Sequence, residues 1–469
     1  MTNGSSPLQE ALAHLESNFD GFKKTLIELS RIPSISAHPF PPEVVLKSAG
    51  AVAEALRAAR VENVQILTVE GVHPYVYGDF MRQKGAPTIL LYGHHDVQPV
   101  GNESRWSTPP FEPVEKGGRL YGRGTADDKG GVMTHVAAVA CYLKTIGSLP
   151  CNVKFVIEGE EEIGSENLAL FLKKYRKMLD ADFIVLSDTA NFDTGVPALT
   201  YQLRGIVQVD VEVETIRQPR HSGMWGGPIP DPVQVMSRII ADLTGPDGKL
   251  NVPGLYNKVA KTSAKQLARI RKLPFREAQF KKEAGILTGV RLSGEARYSV
   301  YERMWTRPSL TVIAMESHPL KGSSNQIVNS ARARLSLRTV PNMDGADAGR
   351  LLMKRLTKNP PYGAKVTAKV TGNTPWWTID PEGPAFEAAR RALKAGYGKE
   401  TAMIGAGGSI GFVGPFAKML GGVPCLLMGV EDPYCNAHSE NESLDLADFK
   451  KSIRSAIFLY DELSRVAVR

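Results

Sequence analysis

Residues 88–99 read TILLYGHHDVQP, a short apolar run that breaks into two histidines and an aspartate. An apolar and β-branched stretch of this length, ended by Gly93, predicts a buried strand with polar side chains at its carboxyl end. Side chains two apart on a strand share a face, so His94 and Asp96 act together while His95 points away. On that reading His94 is a metal ligand, and Asp96 is the carboxylate that holds its imidazole in one tautomer. Taken alone, the pair reads better as a hydrogen-bonded histidine at a strand end.

Working outward, similar apolar runs stand at 64–69, 153–157 and 183–186, separated by helical periodicity at 132–145 and 165–179. Helical patterns at 8–32 and 44–60 precede them. Strands alternating with helices predict an α/β sandwich. From Arg204 the texture changes: residues 206–213, IVQVDVEV, alternate strictly between apolar and polar, as do 331–337 and 365–370. Such alternation marks half-buried antiparallel strands, and helical patterns at 233–243 and 346–356 complete an α+β unit. Beyond Trp376 and Trp377 come a helix near 385–395, an apolar run at 423–428 and a helix at 446–466. The expected architecture is a discontinuous domain, 1–203 with 379–469, and an insertion at 204–378.

The chain has 469 residues, 42% hydrophobic and 23% charged, which suits two or three domains and excludes disordered or collagen-like classes. No apolar run reaches the roughly 18 residues of a membrane span, and residues 1–10, MTNGSSPLQE, lack a signal-peptide pattern. A cytoplasmic protein with no membrane partner is expected. Cys141, Cys151, Cys425 and Cys435 form no CxxC pair and read as reduced thiols. The net charge of +8 is dispersed. Its densest stretch, 258–282, reads as an exposed helix followed by a loop, so no nucleic-acid partner is expected.

Residues 121–131, YGRGTADDKGG, place Asp127 and Asp128 just before a helix, one carboxylate more than an N-cap requires. Residues 158–165, EGEEEIGS, concentrate like charge directly after a buried strand. Packed carboxylates raise one another's pKa, so a cation or a catalytic need is the natural compensation. A solvated acidic loop is the bland alternative, but open α/β sheets bind ligands at the carboxyl ends of their strands. The same placement recurs at Ser187–Asp188 and where the 423–428 run leads through Gly429 and Glu431 to Asn436 and His438. Five strand-end segments thus deliver two histidines and several carboxylates, the ligands of a zinc or manganese pair rather than of one structural zinc.

The segments YGHHDVQP, YGRGTADDKGG, EGEEEIGS, LSD and NAHSEN resemble, in order and spacing, the metal motifs of the two-metal amidohydrolases. That family includes carnosinase, cytosolic nonspecific dipeptidase, aminoacylase and glutamate carboxypeptidase. WSTPPFEP at 106–113 and HSGMWGG at 221–227 are most similar to the carnosinase and nonspecific dipeptidase branch. The resemblance implies a three-layer α/β/α catalytic domain with a mixed sheet, plus an inserted α+β lid and dimerisation domain. It implies two divalent metal ions per subunit, zinc foremost, with manganese or cobalt as alternatives. His94 and Asp188 would bind one ion, Glu162 and His438 the other, and Asp127 both. Glu161 would be the general base, an assignment that adjacent glutamates alone leave open.

By the same resemblance, His221 is the lid histidine that steadies the oxyanion, from its own or the partner subunit, where the residues alone suggest an exposed loop histidine. Arg338 matches the lid arginine that clasps a substrate carboxylate, Asn325 a second lid contact, and Gly408 and Ser409 a carboxylate-holding loop. The implied function is hydrolysis of short peptides with a free C-terminal carboxylate, by a homodimer paired through the lid. The dipeptidase branch carries an acidic residue before the glycine pair; Ala406 stands there in this chain. That loss of a partner for a substrate ammonium is the ground for an alternative N-acyl-amino-acid substrate. A catalytically silent binding homologue is the remaining alternative, and the presence of Glu161 and Asp127 opposes it.

Overall fold

A computed structural model describes residues 5–467. The first four residues of the amino-terminal reading lie outside the described residues. The helix Pro7–Ser30 starts where the Ser6 hydroxyl accepts the Gln9 amide and the Gln9 side chain accepts the Ser6 amide, satisfying two otherwise orphaned donors. Two compact units follow from the folding: residues 1–201, 379–404 and 411–469 in the first, 202–378 and 405–410 in the second.

The first unit is built on a mixed sheet in the order Glu62–Leu67, Tyr75–Phe80, Asn152–Glu158, Thr88–His94, Phe183–Leu186, Cys425–Leu427 and Ala198–Leu203. Its four central members, from Asn152–Glu158 to Cys425–Leu427, run parallel, and the flanking pairings are antiparallel. Period two sends Ile89 and Leu91 into one core, with Phe155, Val185 and the helices Lys129–Thr145, Pro384–Tyr397 and Leu446–Leu463. Leu90 and Tyr92 face the opposite layer, where Tyr92 stacks on Phe412 at 3.6 Å and Tyr75 on Phe171 at 3.8 Å. This is the three-layer α/β/α arrangement. Lys129–Thr145 is buried almost all round, as a helix at the centre of a layer must be.

The second unit has a four-stranded antiparallel sheet ordered Ser309–Glu316, Ser330–Thr339, Gly205–Glu214 and Lys365–Thr374. Val207, Val209, Val211 and Val213 point inward against Met236, Ile239 and Leu352 from the helices Pro232–Ala241 and Gly345–Thr357. At about 1.5–3 kcal/mol for each buried valine, this stripe is the unit's main anchor. On the other face Asp210 pairs with Arg334 and Glu212 with Arg332.

Several features differ from the sequence reading, among them strands at Tyr75–Phe80, Ala198–Leu203 and Ala402–Ala406 and a first unit whose opening segment ends at Tyr201. Ser309–Glu316 was not expected as a strand: it is the sheet edge, with Val312, Ile313 and Met315 exposed, so no alternation of burial marks it. Residues 405–410 belong with the second unit rather than with 379–469, because the Arg204 guanidinium donates to the Gly407 carbonyl and Ser409 donates to the Arg204 carbonyl. The basic stretch after 258 contains a second helix, Glu277–Glu283, where a loop was expected, separated from Ala264–Lys272 around Pro274. Among the described residues no helix is long and apolar enough to cross a membrane.

Candidate metal centre

Parallel pairing aligns Tyr92 with Leu186 and His94 with Glu158, so the residues just past these strand ends converge on one edge of the sheet. His94 Nε2 lies 3.1 Å from Asp127 Oδ1 and 3.9 Å from Asp188 Oδ2. His438 Nε2 lies 3.0 Å from Asp127 Oδ2 and 3.2 Å from Glu162 Oε2. The two oxygens of Asp127 therefore face two different imidazoles. Donor atoms of His94, Asp127 and Asp188 all fall within 4.8 Å of one another, and so do those of Asp127, Glu162 and His438. Each group offers one imidazole nitrogen and two carboxylate oxygens, donors that suit zinc, manganese or cobalt.

Electrostatics agree with that chemistry. Burial, then the nearby Asp188, pushes the Glu161 carboxyl well above the usual carboxylate range. Burial and Asp127 push Glu162 up to about 7. Burial opposes ionisation of Asp127 as well, yet its bonds to His438 and His94 hold it below its ordinary value. Bonds to Asp127 and Glu162 carry His438 up to about 11. The cluster is short of positive charge, and divalent cations would supply it.

The Asp96 carboxylate accepts the backbone amides of Glu161 at 3.2 Å and Glu162 at 3.0 Å, and the Ser36 hydroxyl at 2.6 Å. His94 Nδ1 lies 3.0 Å from the Asp96 carbonyl and 3.4 Å from its Oδ1. A carbonyl can only accept, so Nδ1 carries a proton, and Nε2 is the ring atom turned toward Asp127, where its lone pair would serve a bound cation. His95 turns away to the Pro74 carbonyl at 3.0 Å. Gln98 fixes Glu162 through Oε2 at 2.8 Å.

In the second unit, strand Arg220–His221 pairs with Gln326–Ile327, which sets His221 beside the segment of Asn325, whose carbonyl accepts the Ser222 amide. His221 is exposed, and its Nδ1 accepts the amides of Gly223 and Met224 at 3.1 and 3.3 Å, so the neutral ring presents an Nε2–H donor. Arg338, near the end of Ser330–Thr339, donates Nη1 to Ser409 Oγ at 3.0 Å. Gly408 is open: a Cβ there would meet nothing within 4 Å. Residues to which the sequence reading gave no role join these. Arg204 is held close enough to Arg338 that burial and that second guanidinium lower it to about 10, and neither arginine has a carboxylate partner among the described residues. In the first unit, Asp128 accepts the His94 amide at 3.1 Å, in space that Gly93 leaves, since a Cβ on Gly93 would sit 2.7 Å from its Oδ2. Glu431, half-buried near Asp127 and Asp188, is a further carboxylic acid that desolvation and those carboxylates raise well above its usual range.

A mixed α/β sheet with imidazoles and carboxylates clustered at its carboxyl edge is the make-up of a metallohydrolase. The chain belongs to peptidase family M20/M25/M40, whose profile matches residues 90–459. It is 34% identical over 377 residues to the cysteinylglycine-S-conjugate dipeptidase of Corynebacterium striatum, covering 80% of this chain and 81% of that protein. It is 30% identical over 471 residues to the Cys-Gly metallodipeptidase dug1 of Schizosaccharomyces pombe, covering 96% of each. Among solved structures it is similar to the dipeptidase Dug1p of Saccharomyces cerevisiae, with a TM-score of 0.85, 26% identity and coverage of 98% and 99%.

Proposed function

We propose that this chain is a dinuclear metal-dependent dipeptidase that hydrolyses short peptides with a free C-terminal carboxylate. The observation that carries it is the sharing of Asp127 between two three-donor groups, with the half-buried Glu161 adjacent in sequence to the donor Glu162. His94 and Asp188 hold one divalent ion, Glu162 and His438 the other, and Asp127 both, with zinc foremost and manganese or cobalt as alternatives. Bound there, such ions would supply Lewis-acid chemistry, lowering the pKa of a water and polarising the scissile carbonyl. Glu161 takes a proton at its carboxylate from the attacking water as the water oxygen bonds to the carbonyl carbon. It returns the proton to the amine as the C–N bond breaks. Burial raises its proton affinity, which suits a base that must hold a proton between two steps. Asp96 acts through others: it aligns the backbone of Glu161 and Glu162 and orients His94.

In the second unit, the Nε2–H of His221 donates to the developing oxyanion, from its own or the partner subunit. Arg338, Gly408 and Ser409 hold the substrate carboxylate, with Asn325 as a further contact. The two arginines that lack an acidic partner support an anionic ligand there. The first unit is the catalytic domain and the second the lid and dimerisation domain. A homodimer is supported by the exposed edge strand Ser309–Glu316, and a cytoplasmic location by four free, buried cysteines.

Ala406, ending the strand Ala402–Ala406 ahead of Gly407, offers no charge to a substrate ammonium and favours N-acyl amino acids as a second reading. Hydrolysis of free dipeptides and their N-acetyl counterparts, with zinc or manganese and a chelator control, separates the two. Chelator-sensitive cleavage of the free dipeptides supports the dipeptidase. Preference for the acetylated set transfers the chain to the amidohydrolase reading, and indifference to chelator overturns both.

A further inference from the structure

Glu442 is fully buried, lies outside both donor groups and has no part in the chemistry above. Its Oε2 accepts Arg123 Nη1 at 2.7 Å and the Gly124 amide at 3.0 Å. Its Oε1 accepts the amides of Ala126 at 3.0 Å and Asp127 at 3.1 Å. Backbone amides converging in this way form a concavity for an anion, and here the protein fills it with its own side chain. The Glu442 carbonyl also accepts the Gly122 amide at 2.9 Å. The loop that carries Asp127 is thus bonded at four backbone positions to one residue, which follows His438 by four in the sequence.

Arg123 extends the clamp. It is 1% exposed, donates Nη2 to the Pro99 carbonyl at 3.0 Å and lies 5.4 Å from the Trp106 ring. Pro99 closes the segment that begins at His94. The Glu442–Arg123 pair therefore ties together three segments of sequence that bear His94, Asp127 and His438. All four acceptor bonds of the Glu442 carboxylate are spent on the protein, which leaves it no oxygen for a cation and gives it a geometric task.

We propose that Glu442 is the positioning residue of the metal centre: it fixes the main chain at Asp127 so that the two Asp127 oxygens face His94 and His438 at once. Removal of one partner from a buried, hydrogen-bonded ion pair is costly to the fold, so metal binding must be separated from folding. Partners that orient metal ligands cost about 10- to 100-fold in metal affinity when they are lost. The inference rests on Asp127 being a ligand.

The experiment compares Glu442→Asp, which keeps the charge but withdraws it by one methylene, with Glu442→Gln, Asp127→Asn and the control Glu440→Gln, a half-buried residue that bonds the Asn102 amide and not the Asp127 loop. Zinc affinity of each metal-free protein is measured by competition with a chelating dye. The visible spectrum of bound cobalt and the melting temperature of the metal-free protein are recorded alongside. Expected are folded Glu442 variants that bind at least one zinc about 10- to 100-fold more weakly, with an altered cobalt spectrum, and a Glu440→Gln protein like the wild type. Wild-type affinity and spectrum in the folded Glu442 variants, whatever their melting temperature, would make the pair an element of the fold alone and overturn the proposal. Failure of both Glu442 variants to fold without metal would overturn it in the same way. Wild-type zinc affinity in Asp127→Asn would instead remove the metal-ligand reading beneath it.

Discussion

His135 should set part of the acid sensitivity of this protein. It lies in the helix Lys129–Thr145, fully buried, with Nδ1 2.8 Å from the Tyr460 hydroxyl and Nε2 2.5 Å from the Ser187 hydroxyl. A neutral imidazole serves both hydroxyls, as donor to one and acceptor from the other, and burial pushes its pKa down to about 3. In the unfolded chain the same group titrates near 6.5. Between those two values the unfolded chain binds a proton that the folded one refuses, so stability falls as pH falls, by about 1.4 kcal/mol per unit. The contribution is fully present above pH 6.5, is reduced by about 2 kcal/mol at pH 5, and approaches a loss of about 5 kcal/mol near pH 3. His135→Gln keeps one donor and one acceptor for the two hydroxyls and removes the titration. Urea unfolding of both proteins, metal-free so that acid release of metal plays no part, should show the variant losing about 2 kcal/mol less than wild type between pH 7 and pH 5. Parallel pH profiles would show that His135 is not held neutral by burial, and the reasoning would fail.

Replacing Glu161 with Gln should lower kcat by at least about 100-fold while two metals per subunit remain by elemental analysis; unchanged turnover removes the base assignment. His94→Ala and His438→Ala should each reduce metal content, and full occupancy in both would refute them as ligands. Ile313→Asp, on the exposed edge strand, should convert a dimer to monomer in sedimentation at fixed concentration, and a dimer that persists excludes that edge as its interface.

The strand ends were legible because burial and chemistry change at the same residue. In TILLYGHHDVQP the apolar run stops where the polar chemistry begins, and parallel pairing then brings such ends together without further information. The Gly205–Glu214 strand was legible for a second reason, since one buried face leaves its period in the sequence. Ser309–Glu316 has no buried face to leave one. Glu442 was illegible on different grounds: nothing local separates it from Glu440 two positions before, and its task exists only because a loop 315 residues away in sequence folds onto it. The same holds for residues 405–410, whose place depends on Arg204 some two hundred positions earlier. The His221 cap was within reach, because Nδ1 bonds amides only two and three residues ahead.

Carboxylates around the centre divide by what their oxygens meet. Those of Asp96 and Glu442 are met by amide, hydroxyl and guanidinium donors, and they therefore orient the chain whether or not a cation is present. Asp188 has a single partner, His94 at 3.9 Å, and Asp127 has backbone support but keeps both oxygens turned toward imidazoles. Glu161 goes further: among the described residues no donor meets its carboxylate, and partial burial beside Asp188 pushes it well above the usual range. A buried carboxylate without donors carries a desolvation penalty that only a proton or a cation relieves. Glu162 next to it bonds Gln98 and faces His438, so on the proposed reading a cation would sit at Glu162 and the proton would fall to Glu161. The assignment of base and ligand, which two adjacent glutamates cannot settle in sequence, is thereby supported by which of them the fold leaves without a partner.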